Sequence, residues 1–199
     1  MNTLVIDRST LVQSAAFVAD GTVENAVVLD GLDSRSGAWA AEVLGFAAGR
    51  RIDRIVVGTG PGSFAGIRSA LAFAQGYAIG SGAAVYGLTS AAALAREGEK
   101  LVVVGDSRRG KCWTAVFDGL SQKGDVVQTG EESLRDAVPP DAKVVTPDAA
   151  RIGDKLKSVF GERFAGGRIP LAVDLARFFL ADPSALVAEP LPVYLNKPC

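Results

Sequence analysis

The feature that most constrains the fold is a strand, a glycine turn and a helix in succession between residues 55 and 82. The short apolar run Ile55–Val57 predicts a buried strand, and the Gly-Pro-Gly sequence at 60–62 forces a tight turn after it. Ser63 is placed to cap the following helix, since its hydroxyl can accept from a free backbone N–H of the first turn. The free N–H groups and the positive end of this helix then face whatever lies above the turn.

The predicted helix at Ser63–Gly80 is apolar on every side, and its only charged residue is Arg68. A helix that is apolar on every side must be shielded from water on every side, by its own domain or by a partner. One side fits a sheet of the same domain. Opposite it runs a stripe of mainly small residues that suits close approach of another helix, formed by Ala65, Ser69, Ala72, Phe73 and Gly76.

A second apolar helix is predicted at Gly37–Gly49, with Glu42 as its only charge. We expect the two helices side by side on one face of a sheet, with an outer surface that binds a partner. The alternative is that both helices are simply core. The predicted interface residues are Trp39, Val43, Phe46, Ala65, Ser69, Ala72, Phe73, Gly76 and Tyr77.

Composition narrows the possible functions. The chain has 199 residues, a net charge of −1 and no histidine, which excludes Ser-His-Asp and Cys-His catalysis and histidine-bound zinc. Its two cysteines, Cys112 and Cys199, have no metal or redox spacing and are typical of a reducing compartment. The charge does not favour a nucleic-acid-binding protein. The sequence indicates neither export nor membrane insertion, and we expect a cytoplasmic protein.

The order of predicted elements indicates an α/β fold built from two related halves. Three strands precede the helix at Gly37–Gly49, and strands alternate with helices up to a helix at Thr89–Glu97. A second three-strand meander begins near Lys100. It is followed by elements that include helices at Glu131–Val138, 147–160 and Leu171–Ala181. This duplicated ββαβαβα-type order, with a reduced second half, is the layout of the actin/Hsp70/sugar-kinase architecture, which is ribonuclease H-like. The predicted domains are 1–99, which carries the partner-binding helices, and 100–199.

The first strand ends on a carboxylate, which such an architecture would place near phosphates and Mg²⁺. With the glycine turn, this predicts a vestigial phosphate-binding site formed by Asp7, Ser9, Thr10, Gly60, Gly62 and Ser63. Two other interpretations stay open. Asp followed by Ser and Thr is a common turn former, and Arg8 lies next to Asp7 in the sequence and is available to pair with it.

Four segments resemble the TsaB family, a subunit of the bacterial machinery that makes threonylcarbamoyladenosine in tRNA. The most specific is GTGPGSFAGIRSALAFAQG at Gly58–Gly76. The others are IDRST at Ile6–Thr10, DSRRGKCWTAVF at Asp106–Phe117 and PVYL at Pro192–Leu195. The resemblance therefore extends along the whole chain, although Arg8 stands where the family usually has threonine.

The resemblance implies an actin-like, non-catalytic chain that pairs with the related catalytic subunit TsaD and is joined by the ATPase TsaE. TsaD holds a metal through histidines and transfers the threonylcarbamoyl group to the adenosine beside the anticodon. Older descriptions call such chains inactive glycoprotease homologues. We expect no cofactor, no metal and no catalytic residue in this chain, tRNA binding only within the complex, and a homodimer when the chain is alone.

Two other hypotheses stay open. An autonomous ATP-dependent kinase or ATPase of the same architecture would need a complete adenosine-binding motif and a general base, which the sequence does not display. A simple homodimeric binding module would have no other partner. Copurification with the cell's TsaD would distinguish the scaffold subunit from both.

Overall fold

The computed structural model describes residues 1–29 and 37–195. Two compact units each contain one mixed sheet. Unit 1 comprises Met1–Ala93 and Pro170–Val193, and unit 2 comprises Leu94–Ile169 with Tyr194 and Leu195. The strands are β1 Thr3–Asp7, β2 Gln13–Ala19, β3 Thr22–Leu29, β4 Arg54–Gly58, β5 Ala84–Leu88, β6 Lys100–Arg108, β7 Lys111–Asp118, β8 Ser121–Gly130, β9 Lys143–Thr146, β10 Phe164–Gly167 and β11 Val187–Ala188. The α-helices are α1 Ala38–Ala47, α2 Phe64–Ser81, α3 Ala149–Phe160 and α4 Ala172–Ala181.

The two sheets share an arrangement of five strands, to which unit 1 adds β11, and this shared arrangement confirms the predicted actin-like duplication. Unit 1 has the order β11-β5-β4-β1-β2-β3, and unit 2 has the order β10-β9-β6-β7-β8. In each, the first strand of a meander lies at the centre, antiparallel to the second strand of the meander. On its other side it is parallel to a strand that follows later in the chain. The two halves thus share a topology despite their different sequences.

Helices cover both faces of the unit 1 sheet. Side chains alternate along β1, so Leu4 and Ile6 share one face. These two residues pack in a buried cluster with residues of α1 and α2. On the other face α4 packs on β1, β2 and β3. The fold therefore holds α1 and α2 on the same face of one sheet.

The last long helix belongs to unit 1, which differs from the predicted division at residue 99. The backbone N–H of Ala172, at the start of α4, donates to Ser14 Oγ on β2 at 2.8 Å. Leu175, Phe178 and Phe179 are buried. Because this apolar side of α4 needs a sheet to cover it, residues 170–193 return to the first half of the chain.

Two predicted helices are wrong. Thr89–Glu97 contains only a 3₁₀ segment, Ser90–Leu94, and Glu131–Val138 contains only a 3₁₀ turn, Glu131–Ser133. The second lies between Gly130 and two prolines at 139–140, a stretch too short to offset the cost of helix nucleation. In unit 2 this turn occupies the position that α1 has in unit 1, between the meander and the next strand. The second half of the chain is therefore smaller because a 3₁₀ turn replaces the helix that corresponds to α1.

Among the described residues, no helix combines the length and the apolar character that crossing a membrane would require.

Candidate functional site

The glycine turn and the start of α2 have the predicted local structure. Ser63 is the N-cap, and its Oγ accepts from the Gly66 N–H at 3.2 Å. Gly60 has a φ of +92°, which favours glycine. The helix ends at Gly82, whose φ of +73° provides the left-handed C-cap. These features fix the direction of α2 relative to β4.

Asp7 lies beside this turn, and both of its oxygens are used. The carboxylate is fully buried. Its Oδ1 accepts from the N–H and Oγ of Ser9 at 2.9 and 2.7 Å, and its Oδ2 accepts from Ser90 Oγ at 2.6 Å. Burial raises the pKa of Asp7 above its ordinary value, and the hydrogen bonds from Ser90 and Ser9 oppose that shift. The carboxylate therefore links the end of β1 to the segment after β5.

The predicted phosphate-binding residues are brought together, but their polar groups make hydrogen bonds within the protein. The Gly60 N–H donates to Ser90 Oγ at 3.0 Å, and the Ser63 N–H donates to the Ser9 carbonyl at 2.7 Å. A Cβ atom at Gly62 would lie 2.1 Å from that same carbonyl oxygen. Thr10 Oγ1 donates to the Val12 carbonyl at 3.0 Å. Backbone and side chain thus occupy the space between the two turns.

Arg8 points to the other face of the sheet, towards α1 and α2. Its guanidinium is buried and its Cζ lies 3.9 Å from the centre of the Trp39 indole ring. Nε donates to Gln13 Oε1 at 2.6 Å, and Nη1 donates to Ser69 Oγ. Burial lowers the pKa of Arg8 to about 10, so the side chain remains charged at neutral pH. This arrangement was not predicted from the sequence, although Leu4, Ile6 and Arg8 alternate onto one face of the sheet.

The large residues assigned to the helix interface are more buried than predicted. Trp39 and Val43 are in the core beneath α1, so the expectation that they form an exposed contact surface is wrong. They lie at i and i+4 with Ala47 at i+8, which is the side of α1 that faces the sheet. Phe46, Phe73 and Tyr77 are half-buried along the helices. Their partial exposure leaves them at the margin of any contact surface.

Aromatic rings join α1 to α2. Trp39 meets Phe73 edge-on with ring centres 5.2 Å apart, and Phe73 lies 6.3 Å from Tyr77. Edge-to-face pairs at this spacing are favourable contacts beyond simple area burial. The two helices therefore contact each other through Trp39 and Phe73, and Tyr77 extends the row of rings along α2.

The small residues assigned to α2 lie on its outward side. Ala65, Ala72 and Gly76 are exposed, and Ser69 is half-buried. The same side exposes Phe64 and Ile79, at 56% and 89%, which the sequence analysis missed. Ile79 follows Gly76 by three residues, so helical spacing was the available signal. We call Phe64, Ala65, Ser69, Ala72, Gly76 and Ile79 the outward face of α2.

The chain is similar to known proteins in sequence. The family model described as TsaD: tRNA N6-adenosine threonylcarbamoyltransferase matches residues 43–146, just over half of the chain. Uncharacterized proteins of Mycobacterium tuberculosis and Mycobacterium bovis are 36% identical over 83 residues. That match covers 41% of this chain and spans 39% of the length of those relatives.

Solved structures show the same fold. YeaZ (TsaB) from Pseudomonas aeruginosa superimposes with a TM-score of 0.73 at 23% identity, covering 98% of this chain and 99% of that one. A candidate N-acetylglucosamine kinase from Porphyromonas gingivalis gives a TM-score of 0.51 at 13% identity, covering 91% and 99%. The second likeness places the fold in the actin/sugar-kinase class. The family model shows that this chain belongs to the family described as TsaD: tRNA N6-adenosine threonylcarbamoyltransferase, and the likeness to YeaZ shows that the two chains share a fold.

Proposed function

We propose that this chain is a non-catalytic subunit of the bacterial complex that makes threonylcarbamoyladenosine in tRNA, and that it binds the catalytic subunit TsaD through the outward face of α2. One observation carries the proposal. Over its length of about five turns, α2 exposes mainly small or apolar side chains on this side, together with Gln75 and Arg68, which is the only charge on the helix. A run of exposed apolar side chains along one side of a helix is typical of a surface that binds a partner.

The chemistry of the outward face favours a helix as the partner. Alanine and glycine at Ala65, Ala72 and Gly76 let a second helix approach closely, while Phe64 and Ile79 supply apolar area. The TsaD family model matches the part of this chain that contains α2. A TsaD subunit is therefore expected to have a counterpart of α2, and two related helices can pack in a nearly symmetric way.

The same reasoning predicts a homodimer when TsaD is absent. A second copy of the chain offers the same outward face, and a two-fold axis places it against itself. The homodimer and the TsaD complex then use one surface and exclude each other. The helix pair α1–α2 of each subunit forms a four-helix contact in either assembly.

In the proposed complex the catalytic steps are carried out by the partner proteins and not by this chain. This chain has no histidine, and the Asp7 carboxylate is occupied by Ser9 and Ser90. In the proposed complex TsaD holds the metal and transfers the threonylcarbamoyl group, TsaE supplies ATPase activity, and tRNA binds only to the assembly. The chain itself uses no cofactor and acts in the cytoplasm.

The experiment places a charge on the outward face. Ala72→Glu and Ala65→Arg are compared with Ala150→Glu, which puts the same side chain on an exposed position of α3 in unit 2. Burying an unpaired charge in a helix contact is costly, so we expect both α2 variants to lose TsaD in a pull-down and to elute as monomers in gel filtration. Ala150→Glu keeps both assemblies. If the folded α2 variants retain TsaD and the dimer, the proposal is wrong.

A further inference from the structure

Arg8 is one of the largest fully buried side chains, and it is the only charged one in that group among the described residues. A buried guanidinium must have polar or aromatic partners, because its desolvation is otherwise very costly. It follows β1 directly, so the sheet fixes its backbone. Its side chain extends from the sheet towards the two helices.

Three contacts of the Arg8 side chain reach three different elements. Gln13 lies on β2, Trp39 on α1 and Ser69 on α2. Ser69 also donates to the Gly66 carbonyl at 2.8 Å, within the first turns of α2. A Cβ at Gly66 would lie 2.1 Å from the Arg8 carbonyl, so α2 also rests directly on the Arg8 backbone. One residue thus contacts the sheet and both helices.

The guanidinium suits this position because it has several donors in a fixed plane and a flat face. Stacking on Trp39 uses the face, while Nε and Nη1 donate in the plane. A lysine has a single ammonium and cannot reproduce all three contacts in this geometry. The orientation of α1 on α2 is therefore tied to arginine at this position.

We propose that Arg8 is a positioning residue, which holds Trp39 of α1 and Ser69 of α2 in fixed register and thereby sets the shape of the partner-binding surface. From Trp39 the row of rings continues through Phe73 to Tyr77, so a shift at Arg8 changes the contact between the helices. This inference rests on the proposed function, because it assumes that the outward face of α2 binds a partner.

The chain offers a matched control in Arg54. This arginine also stacks on an aromatic ring, with its Cζ 4.9 Å from the centre of Phe179, and its Nε donates to Thr3 Oγ1 at 3.1 Å. Phe179 belongs to α4, on the other face of the same sheet. Arg54→Met therefore removes a similar stacked arginine without touching α1 or α2.

The experiment measures the dissociation constant of the homodimer by sedimentation, binding of TsaD by calorimetry, and stability by urea unfolding. Arg8→Met is expected to weaken both assemblies roughly tenfold or more, since one hydrogen bond to a charged group contributes about a power of ten. Arg8→Lys recovers part of this loss. Arg54→Met stays within about twofold of the parent chain.

A second variant keeps the inference testable if Arg8→Met does not fold. Ser69→Ala removes the hydrogen bond from Arg8 to α2, together with the bond from Ser69 to the Gly66 carbonyl, and is expected to weaken both assemblies several-fold. Assembly of this variant at the level of the parent chain would overturn the proposal. In a folded Arg8→Met background the same change has little further effect, because its partner is gone. Additive losses would instead show that the two residues act independently and would overturn the proposal.

The failures of the two proposals are distinguishable. If Ala72→Glu leaves both assemblies intact, the partner-binding surface is elsewhere. If Ala72→Glu abolishes them but folded Arg8→Met binds as the parent does, the surface is right and the role of Arg8 is wrong. Equal weakening by Arg8→Met and Arg54→Met would mean a general loss of stability and would also overturn the role of Arg8.

Discussion

Asp7 and Arg8 are neighbours in sequence, but they have opposite surroundings. The alternation of β1 sends Asp7 to the serines of the turns and Arg8 to the aromatic row of the helices. Both charges are buried, and each is held by contacts to other segments. Buried charges of this kind constrain the backbone around them, because moving any partner leaves a charged group without compensation.

Replacing Asp7 by asparagine should change how stability depends on pH. Because burial raises the pKa of Asp7 above 3.8, the folded protein binds more protons than the unfolded chain in the window above that pH. The free energy of unfolding contributed by Asp7 is therefore greatest at low pH and falls as the pH rises through the raised pKa. Asp7→Asn lacks this decline. As the pH rises from the unfolded to the folded pKa of Asp7, the stability of the variant relative to the parent should therefore increase by about 1.4 kcal/mol for each pH unit.

Urea unfolding of the two chains between about pH 4 and pH 8 measures the difference. Ser90→Ala provides a second comparison. The Ser90 hydroxyl lowers the pKa of Asp7, so removing it should extend the decline to higher pH. Parallel curves for all three chains would contradict the raised pKa.

At the scale of single elements, α2 has glycines with opposite structural roles. Gly66 lies against the Arg8 carbonyl, whereas the space around Gly80 is open. Both are inside the helix, so intrinsic helix propensity favours alanine at each. Local packing therefore decides whether replacement by alanine stabilises or destabilises the protein.

Gly66→Ala should destabilise the protein, while Gly80→Ala should stabilise it slightly. The added methyl at Gly66 forces α2 away from β1, with an expected loss of about 1–3 kcal/mol. The methyl at Gly80 meets nothing within 4 Å, with an expected gain of up to about 1 kcal/mol. Thermal and urea unfolding of the two variants test this pair. Equal effects would show that helix propensity, not contact with Arg8, governs both positions.

The elements that the sequence predicts well are those with a strong local signal. The turn, the Ser63 cap and α2 follow from glycine, proline and serine at fixed positions. The helix predicted at Thr89–Glu97 was wrong, because an alanine-rich run does not show which of its sides is buried. In the structure Ser90–Leu94 is a 3₁₀ segment, and Ala91–Ala95 are all buried. The orientation of α1 was wrong for a related reason. A helix that is apolar all round does not indicate which side meets the sheet, so Trp39 and Val43 were assigned outward.

Tertiary contacts between distant segments were the least predictable part. Nothing local marks Ser90 as the partner of Asp7, 83 residues earlier in the chain, or Ser69 as a partner of Arg8. The sequence also does not predict that α4 packs on the sheet of unit 1, because the apolar side of this helix would fit any sheet of suitable size. The predicted phosphate-binding residues did come together, since the ends of parallel strands meet at one edge of a sheet.

At the scale of the whole molecule, the chain combines a duplicated fold with an almost neutral charge. Lysine and arginine total 21 against 22 acidic residues. Many basic side chains are already paired, as Lys100 is with Asp141, and Arg168 with Glu99 at 2.9 Å. Pairing with carboxylates lowers the attraction of these basic side chains for phosphates.

We therefore expect weak tRNA binding by the isolated chain, with a dissociation constant above about 1 µM at physiological salt. Tight binding needs six or more phosphate contacts, each of which steepens the dependence on salt. Two neighbouring exposed arginines, Arg108 and Arg109, lie at a hairpin tip, and Arg108 is already 3.8 Å from the Asp106 carboxylate. Filter binding or fluorescence anisotropy over a range of salt concentrations measures both the affinity and the slope.

The double variant Arg108→Gln, Arg109→Gln separates a weak local contact from a real binding site. If the tip contributes its two charges, the salt slope falls by at most about 2. In the presence of TsaD the affinity should rise, because the partner then supplies most of the phosphate contacts. Submicromolar affinity of the isolated chain, lost in the double variant, would instead make this protein a tRNA-binding subunit in its own right and would revise the division of roles in the complex.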